Sequence, residues 1–262
     1  MKSLIGINRK FMDITPRDLV DCVLRSKYIK GFEVFLNVES GLEVEYLYNL
    51  LYEVKKNNLI LQVHSDINVD YETQLDFLKR LEQCSNYLGE PIVVTFHSIY
   101  DEDMKESLRK TSEYLGNLIN NIDNSKLVLC LGNLNSTKDK SRLGKNEIRE
   151  ILLNNENLYF SYSIGHAIVN YESVIDFDNY MFKEIRNVLL HTCDKTGEDH
   201  KPIYKDDLHW NEVIKALTFL TYNNYQFNVV YDYDLYSCKG TSIEEKIKDF
   251  IASVDLVSER YS

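Results

Sequence analysis

The chain reads as an α/β protein built as one (β/α)8 TIM barrel over residues 1–262. Three observations predict this. Short apolar, β-rich runs alternate with amphipathic stretches from end to end. Eight such runs recur at intervals of roughly 27 to 39 residues, the length of one strand plus one returning helix. No linker rich in Pro, Gly or Ser divides them, so a single closed domain of the usual barrel length is expected. An open doubly wound sheet would need a glycine-rich phosphate turn after an early strand, and Gly6 stands isolated there.

The expected strands are Leu4–Ile7, Gly31–Leu36, Leu59–His64, Pro91–His97, Lys126–Leu131, Leu158–Ile164, Asn187–His191 and Gln226–Tyr231. Near-continuous apolar runs such as LILQV and PIVVTF suit a parallel sheet covered on both faces. The first helix opens at Thr15-Pro16 with Asp18 behind it, a capping residue followed by a proline that needs no amide hydrogen. Leu42, Tyr46, Leu47, Leu50, Leu51 and Val54 repeat at three and four, as do Leu75, Leu78, Leu81 and Leu88. Met104–Ile122, Glu147–Leu153 and Trp210–Tyr222 continue the pattern. The sixth helix, within Tyr171–Ile185, is the weakest, because Asp and Asn interrupt its period. Thr241-Ser242 with Glu244 and Glu245 opens the last helix, Ile243–Val257.

Composition narrows the function classes. Hydrophobic residues make up 44% of the chain, enough for a large core, and the net charge is −11. That acidity argues against a general nucleic-acid surface, which would carry a basic face. No stretch approaches the roughly 18 apolar residues of a membrane span, and the opening MKSLIGINRKFMD has too short an apolar core for a signal peptide. Five cysteines without CxxC spacing read as reduced thiols, hence a cytoplasmic protein.

Histidines carry the chemistry. His64, His97, His166 and His191 close the runs LILQVH, IVVTFH, YFSYSIGH and NVLLH, and His200 follows in the TGEDH loop. Imidazole is the commonest ligand for zinc and related metals, and strand ends are where a parallel barrel assembles its site. One strand-end imidazole is more often bonded to a neighbouring loop than to a metal. Five in succession point to a metal-centred barrel mouth. His209, beside Trp210, reads as a surface or capping residue.

On the motifs GFEVFL, QVHSD, VTFHS, LCLGNLN, YSIGHA and LLHTCDKTGEDH followed by LHW, the chain resembles the xylose isomerase-like superfamily. That group includes sugar isomerases and epimerases as well as endonuclease IV. The resemblance covers essentially the whole chain and implies a ligand set. His64 and His97 match the two histidines of one endonuclease IV-like metal site, and His166, Glu198 and His200 match another. His191 and Asp232 match two of four ligands at the site shared with the isomerases. The other two positions depart: Gly132 stands where a Glu is expected and Ser163 where an Asp is expected. Losing two anionic ligands weakens any oxygen-rich manganese or magnesium centre. His166, Glu198 and His200 keep the N/O character that zinc accepts.

The expected cofactor is therefore a divalent metal, zinc or manganese. His97 and His191 are the candidate acid and base. Glu33 and Asn133 are candidate substrate contacts, although Glu33 could instead pair with a buried Lys or Arg. Asp66 or Asp199 could complete a site with His64 and His97. Of the alternating Asp232 and Asp234, Asp232 is taken to face inward. The expected activity is that of a divergent sugar isomerase or epimerase on a small polar, carbohydrate-like substrate. Two alternatives stand beside it: an endonuclease IV-like zinc phosphodiesterase on abasic DNA, and a barrel that has lost catalysis and serves as a binding or scaffold protein.

Overall fold

Eight parallel strands close on themselves in chain order. They are β1 Lys2–Ile7, β2 Ile29–Leu36, β3 Ile60–Ser65, β4 Ile92–Phe96, β5 Leu127–Gly132, β6 Leu158–Ser163, β7 Ile185–Leu190 and β8 Asn228–Tyr231. The ring closes where β8 pairs with β1, from Lys2↔Asn228 to Ile5↔Tyr231. This computed structural model describes residues 1–65, 69–134, 143–193, 200–223 and 226–261. Its α-helices are α1 Pro16–Val23, α2 Gly41–Lys56, α3 Tyr71–Leu88, α4 Met104–Asn121, α5 Lys145–Asn154, α6 Ile164–Val169, α7 Asn179–Glu184, α8 Trp210–Tyr222 and α9 Ile243–Ser258.

The caps sit where the sequence places them. Thr15 Oγ1 accepts from the Asp18 amide at 3.2 Å, and Ser242 with Glu245 forms a reciprocal capping box on α9. Glu244 stays outside that box and pairs with Lys248 instead. The sixth unit departs most. Its helix is split into α6, a single 3-10 turn Val174–Asp176 and α7. Tyr171 breaks the first piece with φ of 55°, while Ser173 and Asp178 each start a new one by accepting a backbone amide. The strand before it is also shorter than expected. It stops at Ser163, whose hydroxyl caps α6, so His166 lies on a helix rather than at the end of a strand.

The two faces of the barrel have different chemistry. Outward residues such as Phe32, Val34, Val63, Phe96 and Leu131 are fully buried under the helices, and each such side chain stabilises by roughly 1.5–3 kcal/mol. Tyr231 and Tyr233 face this layer, with the Tyr231 hydroxyl 2.9 Å from Ser258 Oγ and the Tyr233 ring packed on Phe250. Inside, a small apolar cluster joins Leu4, Leu189 and Val230, with Phe35 and Ile60 against it. Much of the remaining interior is polar: Glu33, Gln62, Thr95, Ser161 and Asn187 are all buried. Barrels of this kind ordinarily fill these layers with branched aliphatics.

Candidate active site

Strand alternation delivers the side chains. A period of two puts His64 on the face of Gln62, His191 on the face of Asn187 and Leu189, and Asp232 on the face of Val230. The five rings meet in a continuous arc. Centroid separations are 4.6 Å for His64–His97, 6.2 Å for His97–His166, 4.9 Å for His166–His191 and 4.4 Å for the stacked His191–His200 pair. Asp232 joins the arc on the His200 side, with Oδ2 2.9 Å from His200 Nδ1. Asp234 points the other way, to Lys10 at 2.8 Å.

Each ring is held by a specific partner. His166 Nδ1–H donates to the Asn133 carbonyl at 2.8 Å, which leaves the lone pair on Nε2. The His200 Nδ1–H donates to the Asp232 carboxylate, with the same consequence. An outer oxygen acceptor on one ring nitrogen is how metal-binding imidazoles are oriented. His191 differs. The His200 backbone N–H donates to its Nδ1 at 3.2 Å, so the ring proton sits on Nε2 and is donated to Ser163 Oγ at 3.0 Å. His64 Nδ1 lies 3.1 Å from Glu33 Oε1, and its Nε2 lies 3.0 Å from His97 Nε2.

Burial sets the charges. It pushes His97 and His191 well below the ordinary imidazole value, and neighbouring imidazoles add to the effect, so both are neutral near pH 7. Burial opposes ionisation of Asp232, but His200, His191 and His64 outweigh it and hold the carboxyl below the usual range. Glu33 is raised by burial, which His64 and Asn187 offset only in part.

The arc contains a group suited to a cation. His166, His191 and His200 each offer a ligand atom, all lying within 4.8 Å of one another. Three imidazoles beside one carboxylate are nitrogen-rich, which favours zinc over the oxygen-seeking manganese and magnesium. His166 and His200 already present the required nitrogen. His191 fits once its proton moves to Nδ1 and the His200 amide turns aside. Glu198 lies outside the described residues, as do Asp66 and Asp199.

Several expectations need correcting. Glu33 meets no Lys or Arg among the described residues: it is fully buried, bonded to His64 and, through Oε2, to Asn187 Nδ2 at 2.6 Å. Asn133 turns its side chain to the chain itself, donating to the Ser163 carbonyl at 3.0 Å and accepting the Ser163 amide at 2.7 Å. Ser163 is a helix cap and a partner of His191 more than a weakened ligand. His209 occupies the N-cap position of α8 but makes no side-chain capping bond. Sequence reasoning missed Asn187, Phe35 and Gly165. Alternation could have found the first, since Asn187 shares the face of His191 two turns of the pleat earlier. Phe35 stacks on His64 at 4.4 Å. Gly165 lies directly beneath His191.

No helix among the described residues is long and apolar enough to cross a membrane. No family model matches the chain, and no curated protein sequence does. Solved structures do match along its whole length. D-psicose 3-epimerase with D-tagatose, from Clostridium cellulolyticum H10, aligns with TM-score 0.67 at 13% identity, covering 98% of both chains. The apo 3-keto-D-glucoside 4-epimerase of E. coli gives TM-score 0.67 at 13% identity, again over 98% of each chain. A xylose isomerase domain protein from Alicyclobacillus acidocaldarius gives 0.63 at 12% identity, over 98% of this chain and 96% of the other. At such identities the likeness is one of fold alone: this chain has the same (β/α)8 barrel as those structures.

Proposed function

We propose that the chain is a sugar isomerase or epimerase with an altered, nitrogen-rich metal centre, acting on a small polar α-hydroxycarbonyl compound. The observation that carries the reading is the clustering of His166, His191 and His200 at the mouth of a barrel whose structural relatives include sugar epimerases. Those three imidazoles would hold zinc, with Asp232 fixing His200 and supplying the compensating negative charge. A divalent ion bound there supplies Lewis acidity toward a carbonyl oxygen. Glu198, outside the described residues, remains a proposed fourth ligand on the strength of the sequence resemblance.

The chain's own groups do the rest. With His191 taken up by the metal, His97, a neutral imidazole near pH 7, is the remaining candidate acid and base. Asn133 aligns the ends of β5 and β6 so that Ser163 and His166 keep their positions. The nuclease alternative requires a bridging carboxylate where Gly132 stands. A Cβ built there would lie 3.1 Å from His97 Nδ1, so the histidine already occupies much of that space.

The test is metal analysis of protein purified without chelator, followed by incubation with D-psicose, D-tagatose and D-fructose in D2O. About one zinc per chain, a rise in melting temperature on adding zinc, and exchange of a carbon-bound proton next to the carbonyl are expected. Loss of zinc in His166→Ala and His200→Ala would place the metal. Metal-free protein that neither gains stability from zinc nor exchanges any sugar proton would overturn the reading.

A further inference from the structure

We infer that the chain pairs with a second copy of itself across a hollow on the outside of the barrel, each copy seating its Tyr171 ring in the other's hollow. The pairing depends on neither the metal nor the substrate proposed above. The hollow, about 410 Å³, lies between α6, the 3-10 turn that follows it and α8. Ile164, Ala167 and Ile168 from α6, Val174 and Ile175 from the turn, and Ala216 from α8 make its lining largely apolar. On α6 those three residues share one face by their spacing of three and four. An occupant would therefore rest on the back of the helix that carries His166.

The knob is Tyr171, on the rim of the hollow. At the end of α6 the Tyr171 amide donates to the Ile168 carbonyl at 3.1 Å, and the Glu172 amide donates to the Ala167 carbonyl at 2.9 Å. That closure needs one left-handed residue, and glycine is the usual choice because a Cβ is strained there. Here the position is tyrosine, with φ of 55°. Its ring gives nothing back within its own chain. Tyr171 is 99% exposed, more than any other large apolar side chain among the described residues. A residue that strains the backbone and leaves its ring in water works against the folding of a lone copy. A contact made outside that copy accounts for it.

A second copy is the occupant that the surface itself supplies. Knob and hollow share one face, so a two-fold axis between them lets each ring enter the other's hollow, the self-complementary contact of a symmetric dimer. Charge agrees. Glu212 and Lys215 lie about one turn apart on α8, both exposed and both lining the hollow, so the axis sets each copy's acid near the other's base. That pairing offsets the repulsion between two chains of net charge −11. Extent agrees too, since a stable interface covers about 800 Å² on each side. Leu208, beside the lining His209, is 63% exposed, and Tyr222, seven residues past Lys215, is 88% exposed. The face thus runs the length of α8, roughly 20 Å.

Sedimentation equilibrium of the full chain, from about 1 to about 100 µM, tests the pairing. A dimer with a micromolar or tighter Kd is expected for the wild type. Tyr171→Gly should weaken it roughly 30-fold or more. Glycine suits the left-handed turn, so this variant should stay folded, with an unchanged circular dichroism spectrum. Lys215→Glu should weaken the dimer by about fivefold, and adding Glu212→Lys should restore it, because the acid and base have only changed places. Wild-type protein that stays monomeric throughout overturns the pairing and leaves the hollow to some other occupant. A dimer that Tyr171→Gly leaves intact overturns it as well, since the two copies then meet elsewhere. A charge swap that fails to restore association would take α8 out of the interface, and the proposal would fall with it.

Discussion

A Cβ built on Gly165 would lie 2.2 Å from both Cε1 and Nδ1 of His191, a distance no side chain can occupy. Glycine is required there because the helix α6 passes directly under the imidazole. Gly165→Ala should therefore expel His191, break its bonds to Ser163 and the His200 amide, and weaken zinc binding about 10- to 100-fold. Isothermal titration of the variant measures this, and wild-type affinity would show that His191 takes no part in holding metal. Gly132 is a milder case, its built Cβ 3.1 Å from His97 Nδ1. Read in sequence, both glycines were only members of a motif, one matching and one missing. What neither letter could disclose is the neighbour: two imidazoles lean into the space that a side chain would have taken.

Among the elements, the junction of β6 and α6 carries the most. Ser163 Oγ accepts the His166 amide at 3.2 Å and the His191 Nε2 proton at 3.0 Å, so one hydroxyl both starts a helix and fixes a ring. Ser163→Ala removes a cap and leaves a buried donor unsatisfied, for a cost of about 2–4 kcal/mol. Urea unfolding should show this, while Ser163→Asp should lose less, since aspartate also caps. A loss below about 0.5 kcal/mol in the alanine variant would mean the hydroxyl does neither job. Alternation and capping signals placed seven of the eight βα units well. They failed here because the apolar run YFSYSIGH continues across the strand end, and the chain turns helical on a single hydroxyl.

At the scale of the whole molecule, the buried rings make stability depend on pH. His97 and His191 have folded values below their unfolded value near 6.5, so the folded state binds fewer protons across that window and stability rises with pH. Glu33 acts in the opposite sense: its folded value is raised above 4.5, so its contribution is present below that pH and lost as pH rises through the folded value. The two histidines should dominate between about pH 7.5 and 5.5, and chelator-treated protein should melt at lower temperature as acid is added. Calorimetry checks this, and a flat or rising melting temperature would contradict neutral rings. The fold and the convergence of five imidazoles were legible because strand spacing and period-two alternation are local signals. The tautomers and the depth of Glu33 were not, since they depend on residues brought together from β2, β3, β4 and β7.

The closing seam of the barrel also sets an order of assembly. Asp232 follows β8, the strand that completes the ring, and it is the anchor of His200, whose amide in turn fixes His191. During synthesis, five imidazoles would leave the ribosome long before the carboxylate that disciplines two of them. Until that last strand docks, the nascent chain offers a loose set of imidazole donors to whatever ion it meets. Under the zinc reading proposed above, selective loading is then a property of the finished cylinder, acquired only in its final step.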